Sequence, residues 1–175
     1  MAIREEESRQ RRKMDAAGLA AFFGGIAALH SAEEITFLCI GTDRSTGDAL
    51  GPLTGSRLLD YGFPNVAGTL PDPCDANNLV QRIAAIPEGQ IIIAVDACLG
   101  PPAVLGCYFA SARPLRPAQS VGLALPAVGN YSLAAVVDVN SPRPYRTLQT
   151  TPLHRVMVMA DEISGAAARG FGLAE

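Results

Sequence analysis

Two aspartates stand where this chain has least reason to place a charge. Asp48 closes the run Gly41-Thr42-Asp43-Arg44-Ser45-Thr46-Gly47-Asp48, which follows a short apolar stretch, and Asp96 ends a second such stretch, Ile91-Ile92-Ile93-Ala94-Val95. A carboxylate at the end of a buried strand is costly unless it faces a polar crevice or a partner. Two carboxylates brought together resist joint ionisation, so one keeps its proton near neutral pH while the other accepts one. That division of roles is what activating water against a peptide carbonyl requires. A plainer reading stands beside it: Asp48 caps a helix, with backbone N–H groups favouring its ionised form, and Asp96 anchors a turn.

Other chemistries fit less well. Gly41 and Gly47 ahead of a helix suggest a phosphate loop. The spacing is one residue too long, no lysine follows Gly47, and Asp48 puts a carboxylate where the phosphate should sit. The dinucleotide fingerprint is absent as well. Cys98, two residues past Asp96, needs a base to act as a nucleophile, and His154 is the one candidate. The four cysteines, Cys39, Cys74, Cys98 and Cys107, form no CxxC, and the two histidines, His30 and His154, complete no zinc spacing, so neither a metal nor another cofactor is expected. Lining of the crevice and contact with substrate fall to Gly41, Thr42, Asp43, Arg44 and Gly47 in the loop and to Cys98 and Gly100 past Asp96. Asp43 and Arg44 fit a local ion pair equally well. Asp75 and Asn77 fit the cap and first turn of a helix, and Gly129-Asn130 fits a turn.

These residues need a sheet to bring them together. Ile35–Gly41 and Gln90–Asp96 read as strands, Val66–Leu70 as a shorter one, and Ala49–Leu59 and Ala76–Ile86 as the helices between them, the second capped by Asp75. Strands that start roughly 25 to 30 residues apart describe a βαβαβ unit. Their continuous apolar runs describe a sheet covered on both faces. With the strand order 2-1-3, the first and third strands are neighbours, which lets Asp48 and Asp96 converge beyond their carboxyl ends. Past Asp96 the pattern loosens: Gly106–Ser111 and Ala134–Val139 read as further strands, the first in antiparallel additions to the sheet. A last helix begins at Thr151-Pro152, a hydroxyl cap followed by proline, with Leu153, Val156, Met157, Ala160 and Ile163 on its apolar face. Leu19, Phe22, Phe23, Ile26 and Leu29 mark another apolar stripe near the start. Residues 1–14 read as a charged segment, flexible or helical, and 15–175 as one α/β domain, a three-layer α/β/α sandwich with a mostly parallel, mixed sheet.

Composition bounds the partners. Of 175 residues, 49% are hydrophobic and 18% charged, enough apolar content for one core that needs no staples. The net charge of −3 is too balanced for a nucleic-acid clamp or a membrane-surface patch. No run reaches the roughly 18 apolar residues of a membrane span. Glu5, Glu6 and Glu7 spoil any likeness of the start to a secretory signal. Unpaired cysteines in apolar runs suit a reducing cytoplasm. A soluble cytoplasmic protein acting on a peptide or protein is the expectation, and a homo-oligomer is left open.

Three runs, CIGTDRSTGDALGPLTG at Cys39–Gly55, IIIAVDACLG at Ile91–Gly100 and LQTTPLHRVMVMA at Leu148–Ala160, resemble the YyaC-type sporulation proteins of endospore-forming bacteria. The likeness extends from Ile35 to Ile163. The same pattern is similar to that of the spore germination protease, whose Asp-Ala-Leu-Gly-Pro and Val-Asp-Ala segments match Asp48–Pro52 and Val95–Ala97. That resemblance implies a sporulation-associated peptidase, acting on spore proteins, with Asp48 and Asp96 as its acid pair and with no acidic counterpart for Asp43. Hydrogenase maturation endopeptidases are a more distant likeness. Their metal-reading site adds a histidine that this chain lacks between His30 and His154, so nickel binding does not carry over. A metal-dependent hydrolase would need a metal held by both aspartates. Within the closer family a histidine commonly stands at Asp75 and an aspartate at Asn130, a position also expected to meet substrate. These two departures support an alternative, a non-catalytic peptide-binding or regulatory protein that keeps the protease-like fold.

Overall fold

The computed structural model describes residues 11–117 and 125–175. Among the described residues the α-helices and strands follow one another as β1 (Arg12–Met14), α1 (Ala16–Ala27), β2 (Ile35–Cys39), α2 (Leu50–Asp60), β3 (Val66–Ala67), α3 (Leu79–Ala85), β4 (Ile91–Gly100), β5 (Tyr108–Ser111), β6 (Tyr131–Val139), α4 (Pro144–Gln149) and α5 (Leu153–Gly170). The sheet order is β1-β5-β6-β4-β2-β3. β3, β2, β4 and β6 run parallel, while β5 and β1 extend the sheet antiparallel. The first and third strands of the βαβαβ unit are neighbours, with Ile35 opposite Ile91 and Cys39 opposite Val95. The α/β class and mixed sheet read from the sequence are therefore what the chain adopts.

Apolar side chains on both faces of β2, β4 and β6 explain the layering. Val95, Leu133 and Phe37 pack against Leu19 and Phe23 of α1, Leu50 and Leu58 of α2, and Val156 and Ile163 of α5. The opposite face, with Leu38, Ala94, Cys98 and Val136, is covered by Leu79 of α3 and by the bridged pair Leu115 and Val128. Among the described residues, one outer layer thus holds α1, α2 and α5, with Leu148 of α4 joining the same cluster, and the other a single short helix plus extended chain. No helix among the described residues is long and apolar enough to cross a membrane.

Several local expectations are corrected. Arg12–Met14, the end of the segment read as flexible or helical, is an edge strand paired with β5; its exposed Arg12 and Lys13 discourage further strand pairing. Leu29 lies past the end of α1 and is exposed, as are Leu153 and Met157 of α5, where Met159 takes the buried place. Thr151 does not cap α5. Its hydroxyl donates to Asp138 Oδ2 and to the Thr147 carbonyl, and Pro152 holds the cap position. α3 starts three residues later than expected, because Asp75 and Asn78 close a turn ahead of it: Asp75 Oδ1 accepts from Asn77 N–H, and Asn78 Oδ1 from Asp75 N–H. α4 was not anticipated at all.

Candidate active site

The carboxyl end of β2 is pinned before the loop begins. Ile40 N–H donates to the Val95 carbonyl and Gly41 N–H to the Cys74 carbonyl, both at 2.8 Å. The chain then turns back on itself. A Cβ on Gly41, at φ +153°, would lie 2.0 Å from the Asp48 carbonyl oxygen, so no other residue fits this approach. Thr42 N–H donates to that same oxygen at 3.1 Å and closes the loop. Asp48 therefore sits within a single 3-10 turn, Gly47–Ala49, that leads directly into α2. Gly47 allows a second close approach: a Cβ there would meet Leu148 and Thr151 at 2.9 Å, so α4 and the start of α5 brace the turn from outside.

Asp48 is not an N-cap. Its side chain makes no capping hydrogen bond, and burial raises its pKa instead of lowering it, opposed by the neighbouring Ser45 hydroxyl. Ser45 Oγ is itself buried and lies outside the geometry of a formed hydrogen bond. The ionised-cap reading of Asp48 is thereby overturned.

Asp96 lies on β4 just past the level at which β2 ends, 8% exposed. Its Oδ1 accepts from the N–H of Ala97 at 2.9 Å. Burial, and after it the charge of Asp48, push its pKa up to about 7, against smaller opposing contributions from the Ala97 N–H and the Arg11 guanidinium. The repulsion belongs to the pair, because a carboxyl beside a formed carboxylate resists ionisation. The strand order thus brings the two acids into electrostatic contact, and burial raises the pKa of both.

The remaining expected residues divide. Thr42 and Gly41 shape the loop, while Asp43 and Arg44 are exposed on its rim with no ion pair between them among the described residues. Cys98 shares the face of Asp96 but is packed with Leu38, Ile40 and Val136; burial pushes its thiol up to about 12, and it offers neither a nucleophile nor an open contact. Gly100 is a packing position as well, since a Cβ there would meet Val104 and Val136 at 2.8 and 3.0 Å. Asn130 belongs to the other end of the sheet. Its Oδ1 accepts from Ile92 N–H and its own N–H donates to the Ile92 carbonyl, each at 2.8 Å. Asp96 is four residues further along β4, about 13 Å away on an extended strand. Asn130 clamps strand register and does not line the acid pair. The Asp75 departure likewise falls on a residue engaged in a local turn.

Sequence reasoning missed Asp138 and Arg11. Asp138 interrupts β6 as Asp96 interrupts β4, so the same signal, an acid inside an apolar strand, was available for it. An irregularity between Cys98 and Leu99 sets Asp138 opposite Leu99, on the side of α5. There it accepts from Thr151 Oγ1 and from Val139 N–H and stands 3.8 Å from Arg155. Arg11 directly precedes β1, and its Nη1 is buried without a hydrogen-bond partner. Nothing in the sequence pairs it with residues some 85 positions away. No group of three or more His, Cys, Asp or Glu side chains is placed to hold a metal among the described residues. The donor set around Asp48 and Asp96 does not fit a zinc or nickel centre, which takes three or more protein ligands.

A family model described as "Protein of unknown function (DUF1256)" matches residues 12–166. The chain belongs to this family. It is 41% identical over 135 residues to the "Uncharacterized protein YyaC" of Bacillus subtilis strain 168, a match covering 74% of this chain and 66% of that protein. This bears out the resemblance seen in the three sequence runs. The chain thus spans just under two thirds of the length of the curated relative it matches. Among solved structures it is similar to a [NiFe] hydrogenase maturation protease, HycI, from Thermococcus kodakarensis KOD1, with a TM-score of 0.54, 16% identity, and coverage of 79% of this chain and 92% of that one. At that identity the likeness is one of fold: the chain has a protease-like α/β architecture.

Proposed function

We propose that this member of the DUF1256 family is a cytoplasmic, sporulation-associated peptidase that hydrolyses peptide bonds with Asp48 and Asp96. The observation that carries the reading is the unequal pair itself. A buried acid whose pKa is pushed up to about 7 lies in the field of a second acid, itself raised by burial, at the carboxyl end of a parallel sheet. Asp48, as carboxylate, takes a proton from water while the water oxygen bonds to the carbonyl carbon, and Asp96 gives its proton to the carbonyl oxygen. Collapse of that adduct breaks the C–N bond, with the proton held by Asp48 passing to the leaving nitrogen and the proton of one adduct hydroxyl returning to Asp96 as the carbonyl re-forms. The link to spore formation rests on the likeness of Asp48–Pro52 and Val95–Ala97 to the spore germination protease.

Purified protein incubated with small acid-soluble spore proteins and with model peptides should cleave them. Asp48→Asn and Asp96→Asn should each lower cleavage by roughly 10²–10⁴-fold. Cleavage that survives both substitutions undiminished overturns the mechanism.

A further inference from the structure

A second polar feature lies on α4, the helix that braces the Gly47–Ala49 turn. An open cavity of about 350 Å³ is lined by Ser141, Pro142, Arg143, Arg146, Thr147 and Thr150, around the entrance and first turns of α4. It adjoins the site through the backbone. Leu148, between Thr147 and Thr150, packs on Gly47, the residue before Asp48.

The lining is cationic and ordered. Neither the Arg143 nor the Arg146 guanidinium has a hydrogen bond or ion pair among the described residues, although the chain carries more acids than bases. Asp138, on the preceding strand, is already engaged by Thr151 and stands 3.8 Å from Arg155. The hydroxyls are held in place: Ser141 Oγ and Thr147 Oγ1 share a hydrogen bond of 2.6 Å, Arg143 N–H donates to Ser141 Oγ at 3.1 Å, and Thr150 Oγ1 donates to the Arg146 carbonyl. Two unpaired guanidinium forks over fixed hydroxyls match the planar, two-oxygen geometry of a carboxylate. The volume suits one side chain and its adjoining peptide unit.

We propose that this cavity is a subsite for a carboxylate of the bound peptide, so that the protein selects sequences with an acid next to the bond presented to Asp48 and Asp96. The peptide as occupant rests on the function proposed above; the anion chemistry rests on the cavity alone. The carboxylate is that of an acidic side chain or of the chain end, and the test separates the two.

The experiment uses the full chain carrying Asp96→Asn, in which little turnover is expected, and follows arginine side-chain resonances by NMR. Three probes are titrated: acetylated and amidated Ala-Ala-Glu-Ala, the same peptide with Gln for Glu, and the Gln peptide with a free carboxyl end. Saturable shifts with a carboxylate-bearing peptide and not with the neutral one are expected, as is at least a tenfold loss of affinity in Arg143→Gln/Arg146→Gln. The probe that binds identifies the source of the carboxylate. Equal binding of all three peptides, no saturable binding by any, or undiminished affinity in the double variant overturns the subsite. In the chain with both aspartates intact, the double variant should raise KM for acidic peptides and leave kcat within a few-fold. An absence of cleavage with binding retained removes the peptidase reading and leaves the anion site standing.

Discussion

Asp96 on β4 and Asp138 on β6 both interrupt apolar strands near the carboxyl end of the sheet, and they meet different surroundings. Asp138 has a hydroxyl, a backbone N–H and, at 3.8 Å, a guanidinium to answer its charge. Asp96 has the N–H of its own neighbour, greater burial, and the carboxylate of Asp48 beside it. One acid is neutralised by its fold and secures the start of α5. The other is left unanswered, and its proton becomes the relief. An acid in an apolar strand is thus not by itself a sign of chemistry; the partners decide whether it is a structural anchor or a poised group.

The sharpest way to break this comparison is activity. Asp48→Asn or Asp96→Asn should lower kcat/KM roughly 10²–10⁴-fold, while Asp138→Asn should leave it within a few-fold; equal losses from all three would erase the distinction. The pH profile of kcat/KM should rise as Asp48 ionises and fall as Asp96 loses its proton, with the falling limb near pH 7. A profile flat from pH 5 to 9 would contradict the assigned roles.

Stability offers the next contrast. Because the folded-state pKa of Asp96 is raised, its contribution to stability is fully present below the unfolded carboxylate range near 4. It is lost as pH rises through about 7. Asp96→Asn removes that loss, so at pH 8 the variant should be more stable than the parent, by on the order of a few kcal/mol in urea unfolding, with the advantage gone near pH 4. Asp138→Ala should act in the opposite direction, costing about 1–3 kcal/mol through the lost acceptor of the Thr151 hydroxyl and of the Val139 N–H. Most of that loss should not be screened by salt, because the 3.8 Å contact to partly exposed Arg155 contributes little. The smallest effect belongs to the loop rim. Asp43→Ala should change stability by less than about 0.5 kcal/mol, since the residue is exposed and no ion pair ties it to Arg44.

The parts of this protein legible from sequence were those written in local patterns. Runs such as Ile91–Val95 announce buried parallel strands, and helices between them announce the order that makes β2 and β4 neighbours. From that order the convergence of Asp48 and Asp96 follows. Residues judged by proximity in sequence fared worse. Cys98 and Gly100 were drawn into the site because they follow Asp96, yet close packing against Leu38, Val104 and Val136 turned both into core. Asn130 looked like a loop residue near a strand end, and it is, but at the wrong end of the sheet.

What the sequence by itself determined, then, is the α/β class, the adjacency of the first and third strands, and the two acids that this adjacency brings together. Apolar periodicity and connection length suffice for those, because each depends on a few neighbouring residues. Only the tertiary structure decided the burial and the electrostatic coupling of the pair. Whether a carboxylate keeps its proton depends on burial and on charges contributed by distant segments, such as Asp48 against Asp96. The same holds for Asp138, whose partners Thr151 and Arg155 arrive from another part of the chain across a strand irregularity, and for α4, whose Leu148 packs on Gly47 beside Asp48.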